Sequence, residues 1–287
     1  MQEKAGRNRL SDLLRILKLA TESGMYERKI YRIGKYLLIE EHIDGRYGAP
    51  GVSRAAKRKR TPEEVERQNR DNRERKVWRL ILRNFKAGDY HLILTYRKEE
   101  RPETFEEGTR CLREFLGKMR KEYKRAGIPF KWIAVTEQGE KGALHHHLIV
   151  ENRDYIATKM VQNQMTGKVE ARPCGTDMLV RLLWTRGRPQ FSMLDDGDYR
   201  QLAAYITKAK TKQKPDGRHN RVCYSRSRNL IVPQPERRHM LRRLIPGRPG
   251  IRKGYELLKG SLEYGISDLT GLPWQRYVLI KINPKRD

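Results

Sequence analysis

The chain has 287 residues, with 63 Lys and Arg against 35 Asp and Glu, a formal net charge of +28. That length allows one large domain or a core domain with substantial appendages. The basic residues mix with Trp, Tyr and Phe in periodic segments, which excludes a detachable polycationic tail and points to a folded nucleic-acid binder. Cys111, Cys174 and Cys223 are widely spaced and form no CxxC pair, so neither a disulfide framework nor a cysteine zinc site is expected. The start MQEKAGRNRL lacks an apolar signal core, and no run approaches the eighteen or so apolar residues that span a bilayer, so a soluble, cytoplasmic protein without membrane contact is expected.

In chain order, residues 10–22 predict a short amphipathic helix, because Leu10, Leu13, Leu14 and Leu17 fall three and four apart. KIYRIGKYLLIEE is β-rich, and GRYGAPGVSRAAKRKR is expected to be a mobile loop ending in the Lys57–Arg60 cluster. Thr61-Pro62-Glu63-Glu64 is a capping box with Pro at the first helical position, so a long helix is predicted over about 61–85. Only its second half, with Val77, Trp78, Ile81 and Phe85 on one face, is expected to pack on a core.

YHLILTYR predicts a strand, and Thr104 to Arg125 a helix with Phe105, Leu112, Phe115, Leu116, Met119 and Tyr123 along one stripe, closed by Gly127. FKWIAVTE and LHHHLIV predict two strands joined by the hairpin connection QGEKGA. Helices are predicted at about 154–164 and 176–184, a strand at PQFSML, a helix from about Asp198 through Lys210, and another at Pro235 to Leu244. This divides the chain into a basic N-terminal extension over 1–86, a central domain over 87–232, and an α/β appendage over 233–287 packing on that core.

His145 and His147 lie two apart on a predicted strand, so both imidazoles share one face while His146 points to the other. Histidines also occur on strands simply for packing. A carboxylate strengthens the pair: Glu137 ends the preceding strand, and a tight hairpin would bring it beside the two rings, with Glu140 and Gln138 as competing third ligands. Two imidazoles and a carboxylate leave coordination positions open and suit a divalent ion such as Mn²⁺ or Mg²⁺. Tyr205-Ile206-Thr207-Lys208 places Lys208 one helical turn after the tyrosine. A phenol titrates near pH 10, so a nucleophilic tyrosine needs a nearby cation, which Lys208 and the metal ion would supply. A lone YxxK would more simply be an amphipathic core segment.

These segments together resemble the HUH endonucleases, and among them the rolling-circle replication initiators of filamentous phages, plasmids and related integrated elements. HLILTYR, ending in Thr95 and Tyr96, is similar to the first strand motif; Glu137 with His145-His146-His147 resembles the metal motif; Tyr205 to Lys208 resembles the nucleophile motif. The resemblance runs over about residues 89–230 and includes CYSRSRNL. It departs from the family at His146, where an apolar residue is usual, and in having a single catalytic tyrosine, since Tyr199 would project from another face of its helix.

The resemblance implies an α+β fold with a ferredoxin-like (RRM-like) antiparallel sheet core, the HxH strand central and the tyrosine helix across its open face. It also implies site-specific nicking of single-stranded or hairpin origin DNA, with a divalent ion at Glu137, His145 and His147, attack by Tyr205, a 5′-phosphotyrosine link and a free 3′-OH for a host polymerase. No GxxxxGK[ST] stretch occurs, and TGKV at Thr166 to Val169 lacks the upstream glycine, so a host helicase is an expected partner. A single-tyrosine transposase or a mobilisation relaxase would share this chemistry, and a non-catalytic basic nucleic-acid-binding protein would share only the charge.

Overall fold

The computed structural model describes residues 25–43, 54–139, 142–163, 165, 167–207 and 224–282. The helix expected over 10–22 therefore lies outside the described residues. Antiparallel sheets and four helices among the described residues make the fold α+β. In chain order, the strands are β1 (Tyr26–Ile33), β2 (Tyr36–His42), β3 (Tyr90–Leu94), β4 (Trp132–Gln138), β5 (Leu144–Val150), β6 (Ala157–Gln162), β7 (Val169–Cys174), β8 (Pro189–Met193), β9 (Ser225–Arg226), β10 (Glu236–Met240), β11 (Tyr255–Leu257), β12 (Glu263–Ile266) and β13 (Pro273–Lys281). The helices are α1 (Pro62–Asn84), α2 (Phe105–Arg125), α3 (Thr176–Leu183) and α4 (Arg200–Thr207). No described helix is long and apolar enough to cross a membrane.

The chain divides into two compact units, residues 69–232 and residues 1–68 with 233–287. The second is built from both ends of the chain: β1 and β2 form a hairpin, and the sheet runs β10-β1-β2-β13-β11 with β12 also on β13. Ile30, Leu37, Ile39, Tyr277 and Leu279 form its core on one face. Glu41, 2% exposed, accepts from Arg28 Nε at 2.5 Å and from the Tyr277 hydroxyl at 3.2 Å, which satisfies a carboxylate that burial would otherwise penalise.

Two expectations fail in this sequence for the same reason, that strand pairing overrides local helix propensity. Residues 154–164 form β6 rather than a helix, because ATKMVQ alternates in burial and folds back on β7 through the turn at Gly167. Pro235 to Leu244 contains β10, whose helix-favouring ERRHM pairs along the edge of β1. The loop before α1 is also more anchored than expected: residues 44–53 are not described, but Ala55 N–H donates to Gly271 O at 3.0 Å, and Arg58 and Arg60 lie 2.7 Å from Glu64 and 3.3 Å from Asp268 respectively.

The expected caps are present. Glu64 N–H donates to Thr61 Oγ1 at 3.3 Å while Thr61 N–H donates to Glu64 Oε2 at 3.0 Å, and Thr104 with Glu107 repeats the device at α2. Gly127 ends α2 at φ +68, a left-handed position that glycine adopts without Cβ strain.

In the central unit the order is strand, helix, strand, strand, helix, strand, arranged as the antiparallel sheet β8-β3-β5-β4-β9. One face packs Leu92, Leu94, Trp132, Ala134, Leu148 and Val150 against Leu112, Phe115, Leu116, Met119 and Tyr123 of α2 and against α3. On the other face α4 lies against β4, and the Trp78 indole of α1 donates to Asp198 O just before α4. The amphipathic stripe read for α2 is thus the stripe it buries.

Candidate metal and tyrosine site

Register decides where the histidines point. On β5, His145 pairs with Glu137 and His147 with Val135 of β4, so Glu137, His145 and His147 share the face that carries α4. The β4–β5 turn is closed by Gly139 N–H to Ala143 O at 2.9 Å, and Gln138 Nε2 donates to Gly142 O at 2.8 Å. Gln138 is therefore committed to the turn, away from the histidines. Glu140 lies outside the described residues.

Glu137 Oε2 sits 3.3 Å from His147 Nε2 and 3.6 Å from His145 Nε2. One ligand atom from each of the three lies within 4.8 Å of the others, a group that could hold a metal ion. The two imidazoles hold the Glu137 carboxyl down at about 2, so it is ionised at neutral pH.

Tyr205 reaches this group from α4. Its hydroxyl is 3.2 Å from His147 Nε2, and its ring meets that imidazole edge-on with centroids 4.9 Å apart. Burial, and then the Glu137 charge, raise its pKa above the usual phenol value, so the protein groups alone work against a phenolate. The helix is started by Asp198, whose Oδ1 accepts from Arg200 N–H at 3.0 Å. Tyr199 donates its hydroxyl to Asp195 O at 2.8 Å and so is directed to its own turn. Lys208, the cation expected beside Tyr205, lies outside the described residues.

Sequence reasoning missed His91. It is the diagonal neighbour of His147 on β3, with its Nε2 3.3 Å from His147 Nδ1 and the two rings stacked at 5.4 Å. Burial, reinforced by His147, lowers its pKa to about 4, so it is neutral at pH 7 and can accept a hydrogen bond from Nδ1. In the tautomer that serves both neighbours, His147 donates Nδ1–H to His91 and keeps its Nε2 lone pair toward Glu137 and Tyr205. The period-two spacing from Ile93 back to His91 could have placed it on the site face.

His146, which interrupts the pattern of the resemblance, is a core residue. It is fully buried on the α2 face, 2.6 Å from the Tyr96 hydroxyl through Nε2 and 2.9 Å from Thr136 Oγ1 through Nδ1, and burial lowers its pKa to about 3. His146→Leu is therefore expected to strand two buried hydroxyls and cost about 2–4 kcal/mol, read as a lower Tm. The folded fraction should still bind a divalent ion as tightly as the parent; a variant that kept its Tm and lost the ion would reverse this assignment.

Residues 89–214 match the family of replication-associated proteins that groups ORF2 with the gene 2 protein. The matched segment carries β3, α2, β4, β5 and α4, and so every residue of the site, and it supports a replication protein of the Rep type. Comparison with curated proteins and with solved structures gave no match.

Proposed function

We propose that this chain is a metal-dependent nicking and joining enzyme for single-stranded DNA, of the HUH type, which starts rolling-circle replication by attack of Tyr205 on origin DNA. The observation that carries this reading is the Tyr205 hydroxyl 3.2 Å from His147 Nε2, itself 3.3 Å from Glu137 Oε2. A nucleophile and a ligand set converge on one point. The β-α-β-β-α-β order with strands β8-β3-β5-β4 supports a ferredoxin-like core, and the match to replication-associated proteins supports the biological role.

The donor set fits a divalent ion. A carboxylate and two imidazole Nε2 atoms aim lone pairs at one another, and such a group needs either protons or a cation between its members. When bound there, Mg²⁺ or Mn²⁺ would polarise a phosphate oxygen and offset the charge building on it. The His147 Nε2 lone pair can serve the Tyr205 hydroxyl or a cation, so ligation would free the hydroxyl.

The chain's own groups then do the following. Arg and Lys side chains hold the strand by its phosphates. Tyr205 Oη bonds to the scissile phosphorus and its proton leaves to solvent, which its 43% exposure permits. The phosphorus–O3′ bond breaks, the 3′ oxygen takes a proton from water, and the 5′ phosphate remains on Tyr205. Lys208 would favour the phenolate. One phosphodiester is exchanged for another, so a later 3′-OH can reverse the step without ATP.

A single-stranded hairpin oligonucleotide incubated with the protein and Mn²⁺ should give an adduct that survives denaturation and carries the strand 3′ to the nick. Cleavage in which no strand ever becomes attached would favour a water-activating nuclease, and binding without cleavage a non-catalytic module.

His91 acts through His147 as a positioning residue. His91→Phe keeps a ring of similar size but offers no acceptor to Nδ1–H, so Mn²⁺ affinity, followed by electron paramagnetic resonance, should weaken by about 10- to 100-fold. His91→Gln, whose amide oxygen can accept, should recover part of that loss. Equal affinities for parent and His91→Phe would remove the role.

A further inference from the structure

A cavity of about 600 Å³ opens at the β4–β9 edge of the central unit, lined by Arg120, Phe130, Trp132, Arg226, Arg228 and Asn229 with Ser227. Its wall is firmly built. β9 pairs with Ile133 and Ala134, Ser227 N–H donates to Trp132 O at 3.0 Å, Trp132 N–H donates to Ser227 Oγ at 3.2 Å, and Asn229 Nδ2 donates to Phe130 O at 3.2 Å.

The lining contains three arginines and no carboxylate, and none of the three side chains has an ion pair or hydrogen-bond partner among the described residues. The neighbouring cavity between α2 and β6 shows the contrast: there Glu122 lies 2.7 Å from Lys159 and 2.9 Å from Arg125, so its charge is internally compensated. Beneath the arginines, Phe130 and Trp132 form an apolar floor, each about nine-tenths buried, and the buried Trp132 indole N–H has no acceptor. Forked guanidinium donors around an aromatic floor match a phosphate next to a base.

The cavity is separate from the tyrosine site. Trp132 lies on the α2 face and Glu137 on the α4 face of the same strand, five residues on, which is on the order of 17 Å along β4. We propose that this arginine cavity is a second contact for the DNA strand, gripping a backbone phosphate remote from the nick as the strand passes round the β9 edge. This rests on the reading that the chain acts on single-stranded DNA.

The test uses the full chain and a single-stranded oligonucleotide without divalent ion, so that binding is read apart from cleavage. The triple variant Arg120→Gln, Arg226→Gln, Arg228→Gln should bind about tenfold or more weakly at 0.1 M salt, and the slope of log K against log salt should fall by about 0.7 for each phosphate that is no longer neutralised. A control of equal charge, Arg101→Gln, Arg110→Gln, Arg113→Gln, should weaken binding by no more than about threefold. Equal weakening in the two triples, or none in the first, would overturn the proposal.

Photo-crosslinking of the unsubstituted protein to an iododeoxyuridine strand supplies a reading that no misfolded variant can confuse. Crosslinks to residues 130–132 or 226–229 support the cavity, and crosslinks confined to other segments overturn it. Both measurements are independent of the Tyr205 adduct: a chain that forms the adduct while its triple variant binds undiminished would lose the cavity and keep the nicking reading, and the opposite result would do the reverse.

Discussion

Tyr205→Phe is expected to bind the origin strand as the parent does, to form no covalent adduct, and to lose at least about a thousandfold in cleavage rate. Removal of an attacking oxygen leaves only the positioning and charge stabilisation of the rest of the site. The ring packing should survive, since Phe keeps the edge-on arrangement at 4.9 Å against His147 and at 6.2 Å against His91. What disappears from the folded state is one hydrogen bond to His147 Nε2 from a side chain that is 43% exposed, worth about 0.5–1.5 kcal/mol. A small change in Tm with a complete loss of adduct is therefore the expected pair of results. Because that hydrogen bond competes for the Nε2 lone pair, Mn²⁺ should bind the Phe variant at least as tightly as the parent. A water-activating metallonuclease would keep cutting when the ring loses its hydroxyl, so persistent cleavage in this variant would sink the tyrosine mechanism.

The parts of this site that were legible in the sequence depend on short-range geometry. A period of two fixed His145 and His147 to one face, and a tight hairpin set Glu137 opposite His145. The capping boxes at Thr61 and Thr104 marked helix starts because their bonds span three residues. What was not legible depends on pairing between distant segments. β10 lies beside β1 across some two hundred residues, and nothing in ERRHM or in its own neighbourhood signals that edge. His91 was hidden for a related reason: its partner His147 is 56 positions away, and only the β3–β5 register makes them diagonal neighbours. His146 broke an apolar pattern, and its two hydroxyl partners, Tyr96 and Thr136, come from two other segments of the chain. The arginine cavity likewise assembles α2, the start of β4 and the segment after β9.

The ligand set leads to a second large effect, graded by what each residue touches. His147 contacts Glu137, Tyr205 and His91, whereas His145 meets Glu137 at 3.6 Å and the His147 ring edge-on. His147→Ala should therefore cost more than His145→Ala, with Mn²⁺ affinity down by about a hundredfold or more and cleavage by about a thousandfold or more. Strand binding without the ion should stay within about threefold, because phosphate contacts come from Arg and Lys elsewhere. Glu137→Gln gives the sharpest result, because its sign separates two mechanisms. The Glu137 carboxylate opposes negative charge on the Tyr205 oxygen, so in a metal-free mechanism its neutralisation should make the phenol a better nucleophile and raise the rate. If Glu137 holds the ion, the same change removes the anionic ligand from a two-histidine set, and the rate should collapse together with Mn²⁺ affinity. Faster adduct formation by Glu137→Gln after exhaustive chelation would rule out the metal role of this triad while leaving Tyr205 as the nucleophile.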